Sequence, residues 1–283
     1  MRRWYMRAWE GREGRRRSRE GLPGGAPGRG PGLAVVLLLL ALVPACASTP
    51  GYFGLDADPL YERAVGYFDD EDWDDAISAF DHFLFAYPGE PRSPDARMYL
   101  ARAHFEREQY ITSAAEYERF LQFYPSHGRA PEASLGICRS YQRLSPTSQR
   151  DQGYTERAVD ACRNTVNEFA GMTVAEEARE IQRAMIERLA QREYEDGFFY
   201  ERRGLYDSAI LVYQDLVDFF PQTTWAPRGF LGLYRSYRAI NWDTEAEQVR
   251  SRLLANYPDS PEADQVREGS ANGGAARGTD PPA

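Results

Sequence analysis

A short sequence pattern that returns along the chain is the feature that most constrains its fold. Residues 73–88 reappear in altered form 37 residues later, over residues 110–125, and further copies end at Pro221 and Pro258, again 37 residues apart. Each copy has a small residue and a closing aromatic-proline pair, and in three copies an aromatic ring follows the small residue four positions later on the same helix face. Self-similarity at this period predicts a solenoid of stacked helical hairpins.

Each copy supplies the second helix of a hairpin. Its small residue lets two helices approach closely, the ring fills the seam between them, and the proline ends the helix. The small residues are Ala76, Ser113, Ala209 and Ala246. The pattern resembles the tetratricopeptide repeat, a two-helix unit of about 34 residues, and no segment alternates with the period of a strand. We therefore predict an all-α fold, a superhelical solenoid of about five tetratricopeptide-like helical hairpins.

The first 45 residues differ in charge from the rest of the chain. They contain nine arginines and three acidic residues, so the remainder carries −15 while the whole 283-residue chain carries −9. The apolar run over residues 33–43 is too short to span a membrane, and basic residues before such a run are typical of a secretory signal peptide. We expect this leader to be removed from the mature protein.

Cys46 follows the apolar run at the position where a leader would be cut. The three residues before it, an aliphatic one first and a small one last, resemble the bacterial lipobox: Val43, Pro44 and Ala45. The resemblance implies that Cys46 is acylated on sulfur and amine, and the lack of a following aspartate implies the outer membrane. Several acyl chains anchor a protein durably, at roughly 0.8 kcal/mol per buried methylene. The alternative is an ordinary signal peptide, cut near Ala45 or Ala47.

These features divide the chain into six segments. Proline, serine and glycine over residues 145–153 predict a long turn inside the third repeat, and the composition after Pro261 predicts disorder. The segments are a lipoprotein signal peptide (1–45), a lipid-anchored tether (46–56), N-terminal repeats one and two (57–128), repeat three with its lengthened turn (129–171), C-terminal repeats four and five (172–262) and a disordered tail (263–283).

The order of these features resembles the BamD family of outer-membrane assembly lipoproteins over about residues 46–262. Besides the lipobox and the repeats, the likeness rests on residues 150–152 (Arg-Asp-Gln) and 200–204 (Tyr-Glu-Arg-Arg-Gly). It implies a scaffold on the periplasmic face of the outer membrane that joins a BamA-type barrel protein through POTRA domains and receives unfolded outer-membrane proteins. In that family the N-terminal repeats are associated with substrate and the C-terminal repeats with BamA. The chain departs from the family pattern at Cys162, normally aromatic, and at Ala170, normally proline.

The first helices of tetratricopeptide repeats face a concave groove, which gives a set of candidate client-binding residues. An aromatic C-terminus with a free carboxylate, common in barrel proteins, would suit apolar walls and an arginine, because guanidinium pairs bidentately with carboxylate. The alternative for each ring is ordinary packing between repeats. The candidates are Tyr61, Val65, Phe68, Met98, Arg102, Phe105, Ile137 and Tyr141.

Two cysteines, Cys138 and Cys162, fall on the two helices predicted for the third repeat. The periplasm is oxidising, so a disulfide is one interpretation, and two small core residues are the other. A disulfide requires the two Cβ atoms to lie about 4 Å apart, which sequence alone does not reveal.

Motifs for catalysis or metal binding are missing from the sequence. His82, His104 and His127 are scattered, and the acidic run over residues 69–75 lacks the spacing of a calcium loop. We expect no cofactor and no metal, and the acidic mature chain disfavours nucleic acid as a partner. The lead hypothesis is a non-enzymatic scaffold for outer-membrane protein assembly. The alternatives are a periplasmic repeat lipoprotein acting as a cell-division or peptidoglycan-linked scaffold, or an adaptor that regulates an envelope hydrolase.

Overall fold

The computed structural model describes residues 51–274, so the predicted signal peptide, the lipobox residues Val43, Pro44 and Ala45, and Cys46 lie outside the described part. Within residues 51–274 the chain is helical and has no strand. The helices are α1 (Ala57–Asp69), α2 (Trp73–Ala86), α3 (Ser93–Glu106), α4 (Tyr110–Phe123), α5 (Ala130–Leu144), α6 (Gly153–Glu168), α7 (Thr173–Arg202), α8 (Tyr206–Phe219), α9 (Ala226–Ala239), α10 (Asp243–Asn256) and α11 (Pro261–Gly274).

Consecutive helices pair into five hairpins, from α1–α2 to α9–α10, and each second helix also packs against the first helix of the next hairpin. First helices contact one another directly as well: α1 meets α3, α5 meets α7, and α7 meets α9. The first helices therefore share one layer, which is the arrangement of a tetratricopeptide solenoid. The prediction of an all-α solenoid of helical hairpins is confirmed.

Close packing between hairpins depends on small residues that accept aromatic rings. Tyr213 of α8 is fully buried between Gly197 of α7 and Gly232 of α9. A Cβ atom would lie 2.6 Å from the Tyr213 ring at Gly197 and 2.4 Å from it at Gly232, so both helices need glycine at these points. The ring that the repeat pattern places on a second helix thus packs against two first helices.

Hydrogen bonds link positions about one repeat apart. The tyrosine of two closing Tyr-Pro pairs reaches back to the segment before its own repeat. Tyr87 donates its hydroxyl to the carbonyl of Leu55, just before repeat one, at 3.0 Å, and Tyr257 donates to the carbonyl of Pro221, at the end of repeat four, at 2.5 Å. These bonds satisfy backbone carbonyls at the ends of loops. In these two copies the aromatic-proline pair therefore ends a helix and also ties it to the segment before its repeat.

The third hairpin contains a disulfide between Cys138 of α5 and Cys162 of α6, with Cα atoms 4.8 Å apart. Both cysteines are fully buried. The long turn between these helices is ordered, because Gln152 donates to two carbonyls within it and Arg188 of α7 donates to the carbonyls of residues 145 and 146 at 3.0 and 3.1 Å. Helix α7, which is 30 residues long, runs beside this turn, and its Arg192 also donates to the carbonyl of Arg150.

The C-terminal end of the solenoid is covered by α11, although the sequence analysis expects disorder from residue 263. Ala263 and Val266 lie three positions apart, share one helix face and are buried against the last hairpin. The backbone N–H of Ala263 donates to the hydroxyl of Ser260 at 3.1 Å, which caps the first turn. The prediction of disorder is therefore wrong for residues 263–274, and residues 275–283 lie outside the described part.

Candidate functional site

The candidate groove residues of the first two repeats occupy equivalent positions 37 residues apart: Tyr61 with Met98, Val65 with Arg102, and Phe68 with Phe105. The structure does not leave all of them at a surface. Met98 is 0% exposed and packs against rings of α4 and alanines of α5. It fills the core between hairpins two and three, so the prediction that Met98 lines a groove is wrong.

Three rings and one arginine of α1 and α3 lie together in a group that we call the aromatic surface (Tyr61, Phe68, Tyr99 and Arg102). Phe68 is buried, with 9% of its surface exposed, whereas Tyr61 and Tyr99 are partly exposed and Arg102 is exposed. Phe68 meets Tyr99 edge-on with ring centroids 5.0 Å apart, and Tyr61 meets the same ring at 6.5 Å. The guanidinium of Arg102 lies 5.0 Å from the Phe68 ring and 5.7 Å from the Tyr99 ring. Val65 is partly buried behind this surface in the first hairpin's core. Rings and cation are thus held together by packing.

Arg102 and Tyr61 supply two hydrogen-bond donors of the aromatic surface, a guanidinium and a phenol hydroxyl. Among residues 51–274, Arg102 makes no ion pair with a carboxylate, and its side chain is exposed. Burial first, and the nearby Asp95 carboxylate second, raise the pKa of Tyr61 to about 12. The Tyr61 hydroxyl is therefore protonated at neutral pH. The aromatic surface therefore offers a guanidinium without a carboxylate partner among the described residues, beside aromatic rings. These groups suit a C-terminal aromatic residue with a free carboxylate.

Phe105, the next predicted groove residue, lines a separate cleft of about 520 Å³ between α3, α5 and α7, which we call the central cleft. Arg139 is bound on one wall by both oxygens of Glu177, at 2.6 and 2.7 Å. Arg143 donates from two nitrogens to the Tyr110 hydroxyl at 3.1 and 2.9 Å. Unlike Arg102, the arginines of the central cleft already have partners.

Ile137 and Tyr141, the predicted groove residues of repeat three, lie elsewhere. Both line a cleft of about 430 Å³ whose other walls come from α4 and α6. Tyr141 donates to Glu118 at 3.3 Å and stacks on Tyr154, and burial raises the pKa of Tyr141. The prediction that these two residues continue the groove of repeats one and two is therefore wrong.

Register explains this error. Adding the 37-residue period to Arg102 and Phe105 gives Arg139 and Gln142, and both of these residues line the central cleft. The signal was present in the sequence, but the glycine at 136 and the lengthened turn make the third repeat irregular. Ile137 and Tyr141 each lie two positions beyond the equivalents of Met98 and Arg102, which are Leu135 and Arg139. Two positions turn a helical residue by about 200° around its helix, which places it on another face.

A further surface lies at the C-terminal end of α7, where no site residue was predicted. A cleft of about 550 Å³, here called the α7 cleft, is lined by Gln149, Glu195, Phe198, Phe199, Arg202 and Arg203. Each ring stacks under the arginine four positions later: Arg203 lies 3.5 Å from the Phe199 ring, and Arg202 lies 5.7 Å from the Phe198 ring. Phe199 is 51% exposed and Phe198 is 38% exposed. No carboxylate of the described residues pairs with either arginine.

The described part of the chain lacks two other classes of site. Within residues 51–274, no three histidine, cysteine or acidic side chains are grouped so that they could hold a metal ion. No helix in the same range is both long enough and apolar enough to cross a bilayer.

Several solved structures are similar to this chain. The TPR2AB-domain:pHSP90 complex of yeast Sti1 is 13% identical over 73% of this chain and 80% of that one, with a TM-score of 0.41. A thermophilic TPR protein of Thermus thermophilus is 19% identical over 76% and 98%, with a TM-score of 0.32. A tetratricopeptide repeat protein from Parabacteroides merdae is 14% identical over 72% and 68%, with a TM-score of 0.34. A comparison with curated proteins finds no match.

A family model decides the membership of the chain. Residues 55–253 match the family described as YfiO, outer membrane lipoprotein. The match runs from the residues before α1 into α10, which is more than half of the chain. The protein therefore belongs to the YfiO family of outer membrane lipoproteins, the BamD family that the order of its sequence features indicates.

Proposed function

We propose that the protein is a non-enzymatic scaffold of the barrel assembly machinery, anchored in the outer membrane through acylated Cys46 and facing the periplasm. It binds a BamA-type barrel protein through POTRA domains and receives unfolded outer-membrane proteins for insertion. Family membership supports an outer membrane lipoprotein with a scaffold role. The single observation that carries client binding is the unpaired Arg102 on the aromatic surface.

Client recognition follows from the chemistry of that surface. The C-terminal carboxylate of a barrel protein would pair with Arg102, while the terminal ring would pack on the partly exposed Tyr99. A charge-assisted hydrogen bond contributes about 1.5–3 kcal/mol, which is at least about tenfold in affinity. Because Arg102 has no carboxylate among the described residues, the client displaces only water.

A peptide titration tests this assignment. The probes are a short peptide that ends in phenylalanine with a free carboxylate and the same peptide as its C-terminal amide. The wild-type chain should bind the acid at least about tenfold more tightly than the amide, and Arg102→Glu should remove this preference. Arg107→Glu is the matched control, because Arg107 is exposed on the same repeat but already pairs with Asp74 at 2.8 Å. Equal binding of acid and amide by the wild-type chain would exclude Arg102 as the carboxylate site.

The α7 cleft is the surface that we assign to the POTRA domains. It lies in the C-terminal repeats, exposes two rings, and carries two arginines that pair with no carboxylate of the described residues. Aromatic rings and arginines are the side chains that contribute most at protein interfaces. Arg202→Glu with Arg203→Glu should abolish copurification of a BamA-type barrel protein from solubilised envelopes. Arg163→Glu, at an exposed arginine that pairs with Asp160 three residues before it, should not affect copurification.

The same copurification separates the alternative functions. A cell-division or peptidoglycan-linked partner recovered in place of a barrel protein would support the alternative scaffold role. A hydrolase whose rate changes when the chain is added would support the adaptor role. Cys46→Ala tests the anchor: the variant should leave the membrane fraction, and mass spectrometry should show that its N-terminal peptide lacks acyl chains.

A further inference from the structure

The turn over residues 51–54, just before α1, packs its two rings against the first hairpin. Tyr52 is buried, meets Tyr67 of α1 edge-on at 6.5 Å between ring centroids, and lies 5.9 Å from the ring of His82 on α2. Phe53 stacks on Tyr52 at 5.3 Å and lies 5.0 Å from His82. The turn is thus fixed to both helices of the hairpin, although 54% of Phe53 is exposed.

A cation lies beside these rings. A Cβ atom on Gly51 would be 3.5 Å from Nη1 of Arg63 and 3.7 Å from the Tyr67 hydroxyl, so the Arg63 side chain lies along the turn. Arg63 forms no ion pair with any carboxylate of residues 51–274. We call this group the anchor patch (Tyr52, Phe53, Arg63, Tyr67 and His82). It combines an exposed ring, two phenol groups and a cation that has no carboxylate partner in the described chain.

The covalent chain limits how far the anchor patch can lie from the lipid. Five peptide units separate Cys46 from Gly51, and an extended chain spans at most about 3.6 Å per residue, or roughly 18 Å in all. If Cys46 is acylated, as the proposed function requires, its acyl chains fix the start of this segment in the bilayer. The patch is then held close to the lipid headgroups.

We propose that the anchor patch contacts the phospholipid bilayer directly, with Phe53 in the interfacial layer and Arg63 paired with lipid phosphate. Interfacial protein segments place apolar rings such as phenylalanine at the boundary between headgroups and acyl chains, and arginine extends its charged end to the headgroups. The contact is local, because the chain beyond residue 45 carries −15 and gains no long-range attraction to anionic lipid. The contact with lipid would therefore hold the first hairpin in a fixed orientation relative to the membrane.

Spin labelling of the lipidated protein tests this contact. Cys46 is acylated in the proposed form, and Cys138 and Cys162 are joined, so Phe53→Cys introduces the one free thiol for a nitroxide. The labelled protein is placed in vesicles of phosphatidylethanolamine and phosphatidylglycerol. Collision of the nitroxide with a water-soluble nickel chelate should be roughly fivefold less frequent at position 53 than at Ile111→Cys on α4, and collision with oxygen should be more frequent. Ile111 is the matched control, since it is 57% exposed.

Charge substitution provides a second readout with the same label. Arg63→Glu should raise the nickel accessibility at position 53, because a carboxylate is repelled by lipid phosphate, whereas Arg63→Lys should not change it. Equal nickel accessibility at positions 53 and 111 would overturn the proposal. Flotation of the same vesicles separates this outcome from failure of the anchor, because an unlipidated chain does not float with the lipid at all.

Discussion

The disulfide of the third hairpin should make a measurable contribution to stability. Cys138 and Cys162 are 24 residues apart in the chain. Closing a loop of this length lowers the entropy of the unfolded chain by an amount equivalent to about 3.5 kcal/mol at 25 °C in the chain-entropy model. Both sulfurs are buried, so the double variant Cys138→Ala with Cys162→Ala also loses their packing contacts. We therefore expect a loss of at least about 3.5 kcal/mol in the free energy of unfolding.

Urea denaturation measures this loss. With a slope of about 1–3 kcal/mol per molar urea, the midpoint of the double variant should fall by at least roughly 1.2–3.5 M relative to the oxidised wild type. Reduced wild type is the control that separates the two contributions: it lacks the covalent link but keeps both sulfurs. Hydrogen exchange should show the largest loss of protection in α5 and α6, since the link joins these two helices.

Two results would contradict this reasoning. A double variant with the midpoint of the oxidised wild type would show that loop closure does not stabilise the hairpin. A loss of protection centred on another hairpin, with α5 and α6 unchanged, would show that the disulfide does not constrain the elements it joins. Agreement between reduced wild type and the double variant would instead assign the whole effect to the covalent link.

Other substitutions test the packing that the structure shows. Gly232→Ala should lower thermal stability by about 1–3 kcal/mol because its Cβ would lie 2.4 Å from the Tyr213 ring, whereas Gly66→Ala in α1, where no atom lies within 4 Å, should leave the melting temperature unchanged or raise it. Tyr213→Phe removes a 2.8 Å hydrogen bond to Glu201 and should cost about 0.5–1.5 kcal/mol in urea titrations, with no change in helix content. Val266→Asp buries a charge and should remove hydrogen-exchange protection from α11 alone; protection that persists would contradict the packing of α11 on the last hairpin.

Much of the fold can be predicted from the repeat because each recurrent residue has one structural role. The small residue, the ring and the aromatic-proline pair each act within a helix or between adjacent helices, so local sequence specifies them. The long turn of repeat three follows for a similar reason, from its proline, serine and glycine. The helix α11 was not predicted because the composition of the segment after Pro261 is typical of disorder. Two apolar residues, Ala263 and Val266, are nevertheless enough to bury one face of a helix.

The candidate site was harder to predict because exposure depends on the neighbouring hairpin. Tyr61 and Met98 are equivalent in the repeat, yet Tyr61 is partly exposed and Met98 lies in the core shared with α4 and α5. The α7 cleft was missed for a related reason. Its rings and arginines are neighbours on one helix, but only the ordered turn of repeat three, through Gln149, turns that helix face into a cleft.

Arg102 differs from other arginines of the solenoid in what lies 34 residues before it. Arg129, Arg235 and Arg252 each pair with a carboxylate one such interval earlier, on Asp95, Glu201 and Asp218. For Arg102 that position is occupied by the ring of Phe68, and the stacking of the guanidinium on this ring leaves its hydrogen-bonding edge available. Arg102 therefore lacks a carboxylate partner within residues 51–274 because the repeat places a phenylalanine, Phe68, where it places an acidic residue for the other three arginines.

The same comparison yields a gain-of-binding test at Arg139, the equivalent of Arg102 one repeat later. Phe105 lies 34 residues before Arg139, and the carboxylate that satisfies Arg139 comes instead from Glu177 at 2.6 Å. Glu177→Gln should release Arg139 into the central cleft and raise the affinity for the peptide acid by about threefold or more, with no gain for the amide. Glu177 is partly exposed, so the chain should stay folded. An unchanged ratio of acid to amide binding would show that an unpaired arginine on this layer is not sufficient to capture a client carboxylate.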